Sequence, residues 1–284
     1  MKSPERHLDA IVPGGRLAGP LRVALIGWGA IARRFADLVI ARNAGRVEIC
    51  GICLHAGHKH CETPQGIPVL TAPEELAGLD ADVVVEMAGR QAVAQWGEAA
   101  LTHARTFVVA STSAFTDDAL LDRLIRIADE NRGQLVIPPG ALGGIEALAA
   151  AATLPMAAVR HSIVKPPRAW RGTGAETLVD LDNLGQRTTF FTGTAREAAR
   201  QFPQNANVAV ISALAGVGLD KTCIELVADP ETVRNRHVIH AEGDFGTLDV
   251  AIESRPLAGN PKSSEMTALG LVHLIENRIR PLVH

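Results

Sequence analysis

The residues whose spacing points most directly to chemistry form a glycine-rich turn near the start of the chain. The turn, Gly27-Trp28-Gly29-Ala30-Ile31-Ala32, stands between a short apolar run and a pattern typical of one helix face. In such a turn the first glycine permits the bend, the second lets the backbone approach a pyrophosphate, and a small third residue lets helix and strand pack. The helix N-terminus adds free N–H groups and its positive dipole end. We therefore predict a dinucleotide site that includes Gly27, Gly29, Ala30 and Ile31; the alternative is an ordinary βα turn without a ligand.

The end of the predicted second strand carries no carboxylate. A dinucleotide site usually holds the adenosine ribose with an acidic residue about 20 residues past the glycines. This chain has Cys53-Leu54-His55-Ala56 there, followed by His58 and Lys59, and such a surrounding tolerates a 2′-phosphate. The sequence therefore leaves open whether the cofactor is NAD or NADP.

Potential metal ligands are crowded into the same region. They are Cys50, Cys53, His55, His58, His60 and Cys61. Such a density is compatible with a zinc site. Alternation along a strand, however, predicts that Cys50 and Cys53 point to opposite faces, whereas zinc needs both sulfurs at one point. We therefore expect no metal, and interpret the cysteines as small buried residues beside a solvated, histidine-rich loop.

The segment 21–140 alternates between apolar runs and helical patterns. The strand-like runs are 21–26, 47–54, 82–86, 106–110 and 134–137. Runs that are apolar on both faces indicate a parallel sheet covered on both sides. We predict a Rossmann-type, doubly wound α/β domain over 21–140, preceded by a loose tail over 1–20. Capping residues predict two helix starts, one at Thr71 with Glu74 and one at Thr116.

Beyond residue 140 the alternation stops. Five strand-like runs follow one another with only two clear helical patterns between them, near 195–201 and 207–214. This order favours an α+β domain over 141–262 with a mostly antiparallel sheet. Residues 256–261 are predicted to form a loop, and 265–279 a last helix. The segment 263–284 could pack back on the first domain.

Composition limits the classes of function. The chain has 284 residues and a formal charge of −3, without the basic blocks typical of proteins that bind nucleic acid or membranes. Its cysteines are not spaced like a secreted disulfide framework, and residues 1–20 lack the apolar run of a secretory signal. We expect a cytoplasmic protein with a small-molecule substrate. An exposed sheet face in the second domain would need covering, so we also expect a homodimer.

Several segments together resemble one family, the L-aspartate dehydrogenases, which oxidise aspartate to iminoaspartate. The similar stretches run in family order: Gly27-Trp-Gly-Ala-Ile31, Val84-Val-Glu-Met-Ala-Gly89, Pro139-Gly-Ala-Leu-Gly-Gly144, Lys165-Pro-Pro167, Phe202-Pro-Gln-Asn-Ala-Asn207, Ala228-Asp-Pro230 with Asn235-Arg-His237, and Asn260-Pro-Lys-Ser-Ser264. The resemblance implies a Rossmann domain, a substrate and dimerisation domain, NAD or NADP as cofactor, and a role in nicotinamide-nucleotide biosynthesis.

The resemblance also implies roles for single residues. Ala88 and Gly89 would contact the cofactor, as would Ala141 and Asn207 on its nicotinamide side. His237 would be the active-site histidine. In physical terms, small residues allow a flat ring to lie against the backbone, and an asparagine offers both a donor and an acceptor to a carboxamide. A histidine titrating near neutrality can take a proton from the substrate amine or polarise the water that hydrolyses the imine.

A substrate with two carboxylates calls for fixed cations or N–H and O–H donors. The candidates are Lys165, Lys262 and Ser263, with Arg168 and Ser264 beside them in sequence. Two alternatives stay open at this point. One is another two-domain reductase, of the dihydrodipicolinate or homoserine type; the other is a dinucleotide-sensing protein without chemistry.

Overall fold

The computed structural model describes residues 19–55, 57, 62–203, 206–257 and 260–283. Nearly all of the predicted tail, together with His58, Lys59, His60 and Cys61, lies outside the described residues. None of the helices in the described ranges has the length and apolar character needed to cross a membrane.

The first half of the chain forms a parallel sheet of six strands in the order β3-β2-β1-β4-β5-β6. The strands are β1 (Leu21–Ile26), β2 (Val47–Cys53), β3 (Val69–Leu70), β4 (Val83–Glu86), β5 (Thr106–Val109) and β6 (Gln134–Val136), and the helices are α1 (Ala30–Arg42), α2 (Arg90–His103) and α3 (Asp118–Glu130). Helix α1 packs on one face, and α2 and α3 on the other. The predicted doubly wound fold is confirmed. Its strand order reverses between β1 and β4, where such sheets bind their ligands.

The second sheet has five strands in the order β11-β10-β7-β9-β8. The strands are β7 (Met156–Lys165), β8 (Thr188–Thr194), β9 (Cys223–Ala228), β10 (Asn235–Gly243) and β11 (Gly246–Ser254), and the helices are α4 (Ile145–Ala151), α5 (Ala195–Gln201) and α6 (Ala206–Ala215). Only the β7–β9 pair is parallel among the pairs of this sheet, so the predicted mostly antiparallel sheet is confirmed. Helix α4 was not predicted, because seven residues are too few for a helical period to be evident.

The predicted loop over 256–261 is wrong, because part of this segment is a small hairpin. Strands β12 (Pro256–Leu257) and β13 (Asn260–Ser264) pair antiparallel. Helix α7 (Glu265–Glu276) follows and packs against α1 and β1 of the first domain through Leu271, Val272 and Ile275. The hairpin therefore connects the second sheet to helix α7, which packs on the first half of the molecule.

Both predicted helix caps are displaced by one residue. Glu75, not Glu74, accepts from the N–H groups of Thr71 and Ala72, and a 3-10 helix begins at Pro73. Asp117, not Thr116, caps α3 by accepting from the N–H of Leu120. In both cases neighbouring residues of similar chemistry compete, and the path of the backbone decides between them.

A bulge in β2 overturns the prediction that Cys50 and Cys53 point to opposite faces, whereas both are buried as predicted. Val23 pairs with Ile49 and Ala24 with Gly51, so Cys50 is an extra residue in its strand. The extra residue breaks the alternation, and Cys50 and Cys53 pack into the same apolar cluster. Burial raises the pKa of the Cys50 thiol to about 11 and that of Cys53 to about 12. No group of three His, Cys, Asp or Glu side chains suited to a metal occurs among the described residues.

Candidate active site

A cavity of about 130 Å³ lies between the two halves of the molecule. The first half contributes residues that follow β1, β4 and β5, and the second contributes residues of α6, β7 and β10. The lining consists of Ile31, Met87, Ala110, Ser111, Gly140, Ala141, Lys165, Asn207, Val208, Ile211, Asn235, His237, Ser263, Ser264 and Thr267. Three of the predicted cofactor contacts, Ile31, Ala141 and Asn207, are therefore brought together with His237.

The glycine turn has the geometry that a dinucleotide phosphate needs. Gly27 has φ +95°, and a Cβ there would lie 2.8 Å from the Cβ of Ala88, so only glycine fits. A Cβ on Gly29 would meet no described atom within 4 Å, which leaves its backbone open to a ligand. Helix α1 starts at Ala30 with no side-chain cap and no acidic residue in its first turn. Its free N–H groups and dipole suit a pyrophosphate.

A second, wider cleft adjoins the cavity at the start of α1. Gly29 and Ala30 line it together with Trp28, Arg33 and Arg34. The Trp28 indole N–H donates to the backbone oxygen of Glu62, 3.0 Å away, on the segment between β2 and β3. This hydrogen bond ties the glycine turn to the segment that follows β2.

Ala88 and Gly89 do not line the cavity. Their N–H groups donate to the Glu86 carboxylate, each at 2.7 Å, and so are already used. The same carboxylate accepts from the backbone N–H and the hydroxyl of Ser111. Burial raises the pKa of Glu86, while these four donors oppose the shift. Glu86, which was not predicted, therefore ties together the turns after β4 and β5.

Asn207 stands where α6 meets the first half, but its side chain is partly committed. Its Oδ1 accepts from the N–H of Ser113 at 2.9 Å, and its backbone oxygen accepts from the Thr112 hydroxyl. One of the two lone pairs of Oδ1 is therefore used within the protein. The second lone pair and the amide N–H₂ remain, so a donor and an acceptor for a carboxamide stay a prediction.

His237 lies on β10, between β7 and β11, and is 4% exposed. Its Nδ1 is 3.2 Å from Nε2 of His161, whose Nδ1 is 2.9 Å from Oγ of Ser212. Burial, reinforced by His161 and Lys165, lowers the pKa of His237 well below its usual value. Burial also lowers the pKa of His161 to about 3. Both rings are therefore neutral near pH 7, and His237 does not titrate near neutrality as the sequence led us to expect. Its neutral ring still keeps one nitrogen lone pair that can accept a proton.

Lys165 ends strand β7 in the same cavity. Its Nζ lies 5.2 Å from the centre of the Trp170 ring, a cation–π contact. Burial lowers the pKa of the Lys165 ammonium to about 8. The side chain is thus a cation at neutral pH, in a place where a substrate carboxylate would be desolvated.

Of the other residues predicted to contact the substrate, some line the cavity and others do not. Ser263 lines the cavity, whereas the side chain of Lys262 lies outside the described residues. Ser264 also lines it and caps α7 by accepting from the N–H of Met266. Arg168 is exposed and does not line the cavity.

Sequence reasoning missed several residues at this site. Asn235 could have been predicted, because it lies in the same sequence segment as His237. No sequence motif marks His161 or Ser212. Both are far from His237 in sequence, and only the pairing of β7 with β10 and the packing of α6 bring them together.

Comparison with known proteins assigns the family. A family model described as "Aspartate dehydrogenase, C-terminal" matches residues 146–278, and one described as "Homoserine dehydrogenase, NAD binding domain" matches 27–138. An L-aspartate dehydrogenase of Brucella anthropi is 52% identical over 262 residues, which cover 92% of this chain and 97% of that protein.

Solved structures support the same assignment. Aspartate dehydrogenase from Thermotoga maritima matches with a TM-score of 0.73 and 25% identity, over 93% of this chain and 99% of that one. A dihydrodipicolinate reductase from Paenisporosarcina matches at 0.52 with 18% identity, over 92% and 95%, which shows a likeness of fold alone. The reductases considered as alternatives are therefore distant in comparison. On the strength of the identity over nearly its whole length, this chain belongs to the L-aspartate dehydrogenase family of oxidoreductases.

Proposed function

We propose that this protein oxidises L-aspartate to iminoaspartate with NAD or NADP, or catalyses the reverse reductive amination. Water then hydrolyses the imine to oxaloacetate and ammonia. The observation that carries the proposal is a buried, neutral His237 in one cavity with Lys165, next to the helix N-terminus that suits a dinucleotide. A protein that only sensed the dinucleotide would have no need of a base there.

The glycine turn and its surroundings would hold the cofactor. The N–H groups at the start of α1 would bind the phosphates, with Gly27 and Gly29 allowing close approach. Ile31, Ala141 and the amide of Asn207 would surround the nicotinamide end. Ala88 would support Gly27 by contact, and Gly89 would keep the turn after β4 in place. When bound, the nicotinamide accepts a hydride from the substrate α-carbon.

The second domain would supply the groups that act on the substrate. His237 would take a proton from the substrate ammonium group, which frees the nitrogen lone pair that forms the imine as the hydride leaves. Lys165 and Ser263 would hold carboxylate oxygens, the first by charge and the second by a hydroxyl donor. Lys262 is a further candidate for the same task. The burial of His237 excludes water from the proton-transfer step.

We also propose the cofactor, the oligomeric state, the compartment and the pathway of this protein. The β2 end contains no carboxylate, so it suits NAD or NADP. The outer face of the second sheet carries exposed Arg160, Arg236 and Asp249, and we propose that a second copy covers this face in a homodimer. From the resemblance to the family, we propose that the protein acts in the cytoplasm and contributes to nicotinamide-nucleotide biosynthesis. Sedimentation at working concentration would test the dimer, and a single-chain mass would contradict it.

An absorbance assay tests the activity itself. Purified protein mixed with L-aspartate and either NAD or NADP should produce reduced nicotinamide, and omission of aspartate is the control. A panel of amino and hydroxy acids that includes homoserine should show preference for aspartate. No reduction with either cofactor would contradict the proposed function, and faster turnover of homoserine would favour the other reductase class.

A further inference from the structure

Three buried polar side chains from three separate elements form one row that ends at the cavity. Ser212 on α6, His161 on β7 and His237 on β10 are 0%, 0% and 4% exposed. Their contacts, 2.9 Å from Ser212 to His161 and 3.2 Å from His161 to His237, are within hydrogen-bond range. Each contact needs one hydrogen and one lone pair. The tautomer of one ring therefore determines the tautomer of the next.

The far end of the row decides in which direction the hydrogens point. The Ser212 hydroxyl donates its single hydrogen to the backbone oxygen of Ala209, 3.1 Å away. Its oxygen must then accept from Nδ1–H of His161, so Nε2 of that ring accepts from Nδ1–H of His237. In the opposite direction Ser212 would donate to His161 and lose its bond to Ala209. The first arrangement is favoured by that additional hydrogen bond.

We infer that Ser212 and His161 are positioning residues that hold His237 with its hydrogen on Nδ1, so that Nε2 presents a lone pair to the cavity. The inference rests on the proposed role of His237 as the base and explains how that role is secured. Nε2 makes no hydrogen bond to the residues that the structure describes. Lys165 lines the same cavity, and its positive charge disfavours a second N–H there.

The row also determines where the proton goes. Nε2 takes a proton from the substrate ammonium group, and the lone pair freed on that nitrogen then forms the C–N double bond as the hydride leaves the α-carbon for the bound nicotinamide. The bond from Nδ1 of His237 to His161 persists in the charged ring. Because the row ends at a backbone oxygen, which does not take up a proton, the proton on Nε2 leaves through the cavity.

The tautomer can be read without any activity measurement. In the full-length protein labelled with ¹⁵N-histidine, two-bond ¹H–¹⁵N correlations show which ring nitrogen carries hydrogen. The His237→Ala and His161→Gln variants assign the two sets of signals. We expect both rings to carry hydrogen on Nδ1 near pH 7. Hydrogen on Nε2 of His237 in the wild-type protein would overturn the inference.

Kinetics separate a positioning role from a merely structural one. Ser212→Ala removes the acceptor for His161, so both rings can change tautomer, and kcat should fall about 10- to 100-fold with KM within about twofold. Ser212→Thr retains the hydroxyl and should recover most of kcat. The matched control is Thr222→Val, which also removes a fully buried hydroxyl but lies outside the cavity lining. Unchanged kcat in a folded Ser212→Ala protein, or an equal loss in Thr222→Val, would overturn the inference.

A second pair of variants covers the case in which Ser212→Ala does not fold. The His161→Gln side chain can accept from His237 and donate to Ser212, as the imidazole does, whereas the His161→Leu side chain can do neither. The glutamine variant should keep more kcat than the leucine variant, and equal kcat in both would count against the row. Failure here is distinct from failure of the proposed function. Aspartate turnover with the opposite tautomer would refute only the row, whereas absence of turnover would refute the function and leave the tautomer measurable.

Discussion

The glycine turn and the His237 row both reach one cavity, through Ile31 and His237 respectively, and are built in different ways. The turn uses backbone groups of consecutive residues, Gly27 to Ala32, and its neighbours in space have only to be small. The row uses side chains of three elements whose sequence separations reach 76 residues between His161 and His237. The turn contains no titratable group, whereas the row contains two imidazole rings whose pKa values burial lowers. A site for holding a cofactor can thus be local, whereas a site that handles protons depends on its surroundings.

Loss of the His237 ring should have the largest effect, and it tests whether proton transfer and cofactor binding are separate tasks of the row and the turn. His237→Ala should lower kcat for aspartate about 10²- to 10⁴-fold, the usual contribution of a general base. Affinity for NAD or NADP, measured by fluorescence titration, should change little, because the turn is untouched. His103→Ala, on α2 and outside the cavity lining, is the control and should retain full turnover. Equal turnover in His237→Ala and the wild type would show that His237 is not the base.

The reciprocal variant changes the turn and leaves the row intact. Gly27→Ala forces a side chain into a positive φ and to within 2.8 Å of Ala88. Strain of roughly 1–3 kcal/mol should weaken cofactor binding at least about tenfold. The matched control is Gly45→Ala, which also has positive φ but open space around the new Cβ. Normal cofactor affinity in Gly27→Ala would show that the dinucleotide is held elsewhere.

Substrate binding by Lys165 should depend on pH, whereas cofactor binding by the glycine turn should not, because the turn has no titratable group. The pKa of Lys165 is lowered to about 8, so the ammonium is present below that pH and is lost as the pH rises through it. Succinate, a dicarboxylate without an amine, isolates this recognition from the chemistry. Its inhibition constant should rise about tenfold for each pH unit well above pH 8, and Lys165→Met should abolish the dependence. Lys221→Met, on the surface, should behave like the wild type; a flat profile in the wild type would exclude Lys165 from carboxylate binding.

The smallest expected effect concerns stability. Below about pH 6.5 the unfolded chain binds protons on His161 and His237, whereas the folded chain does not until far lower pH. The free energy of unfolding should therefore fall as the pH is lowered from 6.5 to 5, by roughly 1 kcal/mol per pH unit for each ring. Urea unfolding measures this slope. The slope should be smaller in His161→Leu, and an unchanged slope would mean that the ring is already charged when folded.

Strands and helices could be predicted from the sequence where a long apolar pattern marks them. Local details such as bulges and caps could not, because they depend on single contacts in the folded chain. The alternation of strands and helices gave the doubly wound sheet, because apolar runs can only be buried between helices. The bulge at Cys50 was not readable, since it depends on how β2 pairs with β1. The caps shifted to Glu75 and Asp117 for the same reason: adjacent residues offer similar side chains, and the backbone path selects one.

The sequence by itself determined the fold class, the place of the glycine turn and the resemblance to a family, because each depends on residues that are close together in the chain. Tertiary structure alone decided that His237 has His161 behind it and Ser212 behind that. It also decided that the Oδ1 of Asn207 is used within the protein and that Lys165 shares the cavity with His237. The physical reason is that burial and hydrogen bonding between distant elements set protonation, and neither exists before the chain has folded.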